Sequence, residues 1–184
     1  MPEIRALTLH QPWASLIAWG VKRYETRPRP LSYRGPLAIH AAKVWTQEQA
    51  DAHLQFGGAL FVDHYGFARW LEQPPLGCVV AVADLVDCQR MVAPCTCDED
   101  PQICQNPESS TASPTGLESC GSCTEDLEPG EISVASVSEA ERLCGYWHPG
   151  RWAYRLENVR RLAEPIPARG KQGLWRFDLP EGVL

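Results

Sequence analysis

LTLHQPWASLIAWGVKRYETR, residues 7–27, reads as a short helix, its stop and an extended segment in immediate succession. Pro12 stands near the helical start, where its missing N–H costs nothing. Trp13, Leu16 and Ile17, with Gly20 closing, follow the i, i+3, i+4, i+7 rhythm of an amphipathic helix. Gly20 suits the stop because it accepts positive φ. KRYETR then predicts a strand with Glu25 and Arg27 two apart and on one face. Pro28 and Pro30 end it, since neither can donate to a ladder. Lys22, Arg23, Arg27 and Arg29 crowd around a single carboxylate, Glu25.

Working outward, RGPLAIHAAK (34–43) predicts a strand with Leu37, Ile39 and Ala41 on one face and Ala38 and His40 on the other. A second helix is expected from TQEQADAHLQF, where Thr46 and Gln49 have capping-box spacing, and a third in DHYGFARWLEQ. GCVVAVADLVDC (77–88) is the strongest strand signal, Val-rich and bounded by Gly77. GRWAYRLENVRRL and KQGLWRFDL give two more strands, separated by an expected loop, AEPIPARG. Short strands outnumber helices, and no repeat is found. The expected class is α+β: a single domain over 1–184, built as a small, mostly antiparallel β-barrel with flanking helices.

The net charge of −6 is unevenly distributed. Between Cys95 and Glu141 lie eleven acidic residues and no Lys or Arg, leaving twelve acids against all seventeen bases elsewhere. A basic body thus carries an acidic insert. Such a body suits polyanionic partners, although ordinary solubilising charge looks the same. The insert, 93–143, is rich in Ser, Pro, Glu and Gly. It lacks the large apolar residues that would offset ordering, so much of it is expected to be mobile. No apolar run approaches a membrane span, and MPEIRALTLH lacks the features of a signal peptide, so the expected location is cytoplasmic. In that reducing compartment the eight cysteines read as thiols or metal ligands rather than disulfides.

LTLHQPWASLIAWGVKRYETR followed by YRGPLAIHAAK resembles the signature of the ASCH (activating signal cointegrator homology) domain, with its G-x-K-x-x-E-x-R core at Gly20, Lys22, Glu25 and Arg27. GCVVAVADLVD, PGRWAYRLENVRRL and IPARGKQGLWRF resemble the closing strands of that family. The resemblance implies a PUA-like barrel with a cleft between helix and barrel, and association with RNA or single-stranded nucleic acid. It also implies an alternative activity: some small bacterial members are amidohydrolases that remove the acetyl group from N4-acetylcytidine with a lysine, a threonine and a glutamate. The lysine falls on Lys22. The threonine's place is held by Glu25, with Thr26 one step further, so the catalytic candidates are Lys22, Glu25 and Thr26. A second carboxylate is expected in the VAVADLVD strand or the helices before it, with Asp84 the candidate.

Three readings of Lys22, Glu25 and Arg27 stand side by side: a strand-end ion-pair cluster, a binding site in which Lys22 and Arg27 hold phosphates while Glu25 accepts from an exocyclic amine, and a catalytic site in which Lys22 acts as base or nucleophile and Glu25 moves a proton. Gln11, Trp13, His40, Lys43, Trp45, Arg169 and Lys171 complete the candidate ligand-binding set. Trp45 is the expected exposed stacking platform, while Trp13 and Trp175 serve equally well as core. His40 is either a phosphate or base donor or a satisfied half-buried histidine. The cleft itself needs no cofactor. In the insert, Cys95, Cys97, Cys104, Cys120 and Cys123 offer enough thiolates for a structural zinc, against a redox C-x-x-C or an unstructured thiol-rich tail. The implied partners are RNA, single-stranded nucleic acid or a modified nucleoside. No membrane is implied, and the insert offers room for a protein partner.

Overall fold

The computed structural model describes residues 3–51, 73–93 and 127–183. Its elements are β1 (Glu3–Leu9), α1 (Trp13–Ala18), β2 (Tyr24–Arg27), β3 (Gly35–Ala41), β4 (Cys78–Val92), β5 (Glu131–Ser133), α2 (Glu139–Cys144), β6 (Trp152–Pro167) and β7 (Leu174–Asp178). The strands form one seven-stranded sheet in the order β2-β6-β4-β3-β1-β7, with β5 beside β4. Four of its six pairings are antiparallel; β1–β3 and β4–β5 are parallel. The sheet curls into a half-barrel with few helices, as the PUA-like expectation required. Four register shifts supply bend: one between β3 and β4 at Ile39/His40, and three between β4 and β6. Each such bulge adds a residue to one strand and sharpens its twist.

Period-2 alternation divides the core into two. Leu37, Ile39 and Ala41 of β3 join Leu7, Leu9, Val80 and Leu85 under Ala14 and Ile17 of α1. Ala38 faces the other way, toward Val79, Val82, Leu162, Trp175 and Phe177. Strands buried on both faces read as continuous apolar runs, and β4 does so from Cys78 to Ala83.

Three segments depart from the sequence expectation. First, β1 lies ahead of every predicted strand. Second, β6 continues to Pro167 through AEPIP, where a loop was expected. Its β2 partner stops opposite Arg155, while β4 stays paired as far as Pro167. Among the described residues the outer edge of β6 is therefore unpaired beyond Leu156, and prolines there forfeit no ladder bond. Third, the end of the acidic stretch is folded: β5 pairs with β4, and α2 begins at Ser138, whose hydroxyl accepts from Glu141 N–H. Ile132, Val137 and Met91 bury one another there.

The Thr46–Gln49 box is made in both directions: Thr46 N–H donates to Gln49 Oε1 at 2.9 Å, and Gln49 N–H to Thr46 Oγ1 at 3.4 Å. The helical turn covers 47–51. The rest of that helix, the expected third helix and the five candidate zinc ligands, Cys95, Cys97, Cys104, Cys120 and Cys123, lie outside the described residues. No helix among the described residues is long and apolar enough to cross a membrane.

Candidate functional site

The stop of α1 delivers Lys22. Gly20 takes φ +74°, and the N–H groups of Val21 and Lys22 both return to the Leu16 carbonyl, at 3.0 and 3.1 Å. This tight wrap turns the Lys22 side chain inward, where it is only 1% exposed. Its ammonium donates to the Cys144 carbonyl at 2.9 Å and lies 3.8 Å from Glu25 Oε2. The other Glu25 oxygen accepts from Arg27 Nε at 2.8 Å, as their shared strand face predicts, and Arg27 Nη2 reaches the Thr8 carbonyl at 3.2 Å. One carboxylate is thus held between two cations at the floor of a cavity of about 430 Å³.

Trp13, Thr26, Arg151 and Tyr146 share that lining. Thr26 Oγ1 accepts the Tyr146 N–H at 3.0 Å, and the Arg151 guanidinium sits 4.7 Å from the Tyr146 ring centre. Cys144 also lines the cavity, but burial pushes its thiol pKa up to about 11. A thiol held protonated is no nucleophile at neutral pH.

Arg27 and His10 border a second, larger cavity of about 1030 Å³, which also receives Lys43, Arg169 and Lys171. No acidic side chain lines it among the described residues. The loop carrying Arg169 and Lys171 is fastened from below: Ala168 N–H donates to Gly77 O at 3.0 Å, and Thr8 Oγ1 donates to Lys171 O at 3.0 Å. His40 Nε2 lies 3.1 Å from the Ala168 carbonyl, which fixes the proton on Nε2 because a carbonyl only accepts. His40 is 1% exposed, and burial lowers its pKa against the opposing pull of that carbonyl, so the ring is neutral. The ring lines the second cavity and makes an edge-on contact with Trp175 of the second core.

The other candidates are distributed as follows. Gln11 is fully buried; its amide donates to Pro75 O at 2.9 Å and its carbonyl accepts Ser15 N–H at 3.1 Å, tying α1 to the segment before β4. Trp45 is 36% exposed and stands outside both linings, next to Lys43 and Val44. Asp84 is engaged by Asn158 at 2.9 Å and Arg160 at 4.0 Å and lines neither cavity.

A further carboxylate that feels the Lys22 charge is Glu141, on α2. It is 6% exposed and accepts a short hydrogen bond from Arg23 N–H. Its sequence signal was the S-x-x-E of Ser138–Glu141, a helix-cap spacing that gives no hint of a partner across the fold. His10, Tyr146 and Arg151 were also missed: His10 and Arg151 stand inside stretches that resemble the family but outside its G-x-K-x-x-E-x-R core, and Tyr146 belongs to no motif.

Burial raises the Glu141 pKa, against the Arg23 N–H bond and the Lys22 charge, which lower it. A carboxyl that binds its proton more tightly when folded adds stability at low pH, and that contribution is lost as pH rises through the folded-state pKa. Glu141→Gln keeps an acceptor for Arg23 but cannot ionise. Urea unfolding should therefore show the variant gaining on wild type between pH 4.5 and pH 8. A gap between the two that does not change with pH would contradict this.

A model of the ASCH domain family matches residues 7–143, more than half of the chain. Activating signal cointegrator 1 of Homo sapiens and its counterpart in Mus musculus are each 36% identical to this chain over 85 residues, 45% of this chain and 14% of the relative. The chain therefore spans only a small part of the length of those relatives. With the match running from β1 through the Lys22–Glu25–Arg27 array to α2, the chain belongs to the ASCH domain family.

Proposed function

We propose that the chain binds RNA or another single-stranded nucleic acid, or a modified nucleoside, in the cleft around Lys22, Glu25 and Arg27. The observation that carries this reading is that a cavity with one carboxylate between cations shares Arg27 and His10 with a groove lined by Lys43, Arg169 and Lys171 with no described acidic partner. Arg offers bidentate contact to phosphate and Lys a point charge, while Trp13 offers a ring to a base. Ring stacking of that kind contributes about 1–3 kcal/mol per base. Family membership supports the reading; the activity of the full cointegrators is not carried over from a 14% overlap.

Binding to a single strand through phosphates releases counterions, with a slope in log affinity against log salt of about −0.7 per contact. Arg169→Ala with Lys171→Ala should reduce the magnitude of that slope by about 1.4 if each side chain neutralises one phosphate. Fluorescence anisotropy with labelled oligonucleotides between 50 and 300 mM salt, roughly the range over which such binding changes steeply, reads it. A wild-type oligonucleotide affinity insensitive to salt would end the nucleic-acid form of the proposal.

A second reading, deacetylation of N4-acetylcytidine-type nucleosides, is favoured by one observation: Lys22, Glu25 and Thr26 line the same cavity. It requires that purified protein convert N4-acetylcytidine to cytidine, followed by chromatography. No product from wild type would exclude it.

A further inference from the structure

We propose that the two cavities are one divided site, in which the Lys22 cavity takes a single unstacked base and the Arg169–Lys171 groove takes the phosphates flanking it. This rests on the nucleic-acid reading above and gives it a geometry.

The division follows from the charges. Glu25 presents a carboxylate to the smaller cavity, held between Lys22 and Arg27. A donor beside an acceptor matches the hydrogen-bonding edge of a base, whereas a phosphate there would meet the Glu25 carboxylate along with the cations Lys22, Arg27 and Arg151. The groove is the reverse, with cations and no described carboxylate. A ligand that was only anionic would meet the Glu25 carboxylate in the smaller cavity, and a ligand that was only a base would leave Lys43, Arg169 and Lys171 unused. A nucleotide within a strand satisfies both. Arg27 borders both cavities with its orientation fixed by Glu25 and the Thr8 carbonyl, so it marks the boundary between base and phosphate.

The groove is also built in advance of its ligand. Bonds to Gly77, His40 and Thr8 hold the backbone at Ala168 and Lys171, so that Arg169 and Lys171 start from a fixed frame. Preorganisation of this kind lowers the ordering cost of binding. The base, by contrast, must leave its stack, which costs a duplex more than a single strand. The divided site therefore selects single strands.

The test uses two pentanucleotide backbones, one fully abasic and one carrying a single central base. Each of the four bases is tried in ribose and deoxyribose form. For at least one base, wild type should bind the base-bearing strand ten times or more tighter than the abasic strand. Arg169→Ala/Lys171→Ala should weaken both strands by the same factor and leave their ratio unchanged. Glu25→Gln should bring the ratio toward one and spare the abasic strand. The wild-type ratio needs no variant, so a poorly folding Glu25→Gln does not remove the test. If both strands bind wild type equally, or the groove variant leaves the abasic strand unaffected, the division is wrong while nucleic-acid binding stands. If neither strand nor any ordinary oligonucleotide binds, the nucleic-acid reading falls with it.

Discussion

Lys22→Ala is expected to lose roughly 3–5 kcal/mol of folding stability, the range for removing one partner of a buried ion pair, and to lose ligand binding as well. Three losses coincide. The Cys144 carbonyl forfeits its donor, Glu25 loses one of its two described ion-pair partners, and the space of three methylenes and an ammonium is left empty in a site 1% exposed. A buried acceptor left unpaired costs about 1–3 kcal/mol by itself. Lys22→Met separates these effects from function. Its chain refills most of the stem, so urea unfolding should show it recovering part of the lost stability. It has no ammonium, so oligonucleotide affinity should fall as far as in the Ala variant. A Met variant that binds like wild type would show that Lys22 is a structural cation bracing α2 against β2. Since Cys144 and Glu141 both sit on α2, that bracing is real on either outcome, and only the second role is at stake.

What the sequence revealed and what it concealed divide along a physical line. Leu37, Ile39 and Ala41 announced β3 because large apolar residues alternate there with small or polar ones. The Gly20 stop, the Thr46–Gln49 box and the Glu25–Arg27 pairing were readable because each is made by residues at most six apart. β1 was not, because on its second face the buried residue is the small Ala6 and Thr8 beside it is half-buried, which flattens the contrast that alternation depends on. The folded end of the acidic stretch escaped notice because it contributes to the core through isolated residues, Ile132 and Val137, within polar surroundings. The site suffered most from distance in the chain. Lys22 meets Cys144, and Thr26 meets Tyr146, across about 120 residues. No spacing rule reaches that far, so Glu141, Tyr146 and Arg151 became visible only once β6 had carried the chain back beside β2. The resemblance pointed to the Lys22 side of the cavity, but it carried no information about the wall that the stretch before β6 adds.

Gly170→Ala is the second substitution with a large expected effect, although no charge changes. A Cβ on Gly170 would lie 2.4 Å from His40 Cε1, 2.7 Å from its Nδ1 and 3.0 Å from Thr8 Oγ1. The His40 ring has little room to yield: it is 1% exposed, bonded to the Ala168 carbonyl and set edge-on against Trp175 at 5.6 Å. The loop must lift instead, straining its bonds to His40 and Thr8. Overpacking of a well-filled site costs about 1–3 kcal/mol, and the lifted loop carries Arg169 and Lys171 out of register. The binding defect should therefore imitate that of Arg169→Ala/Lys171→Ala, with weaker affinity and a shallower salt dependence, while both cations remain present. His40→Ala provides the control. It has a cost of its own, the lost ring and its bond to Ala168, but it vacates the space the new methyl needs. Adding Gly170→Ala in the His40→Ala background should then be cheaper than adding it to wild type, by a coupling of roughly 0.5–3 kcal/mol for residues in contact. Strictly additive costs would mean that the close approach of backbone to ring is not what makes glycine necessary there, and that the loop is held by its hydrogen bonds alone.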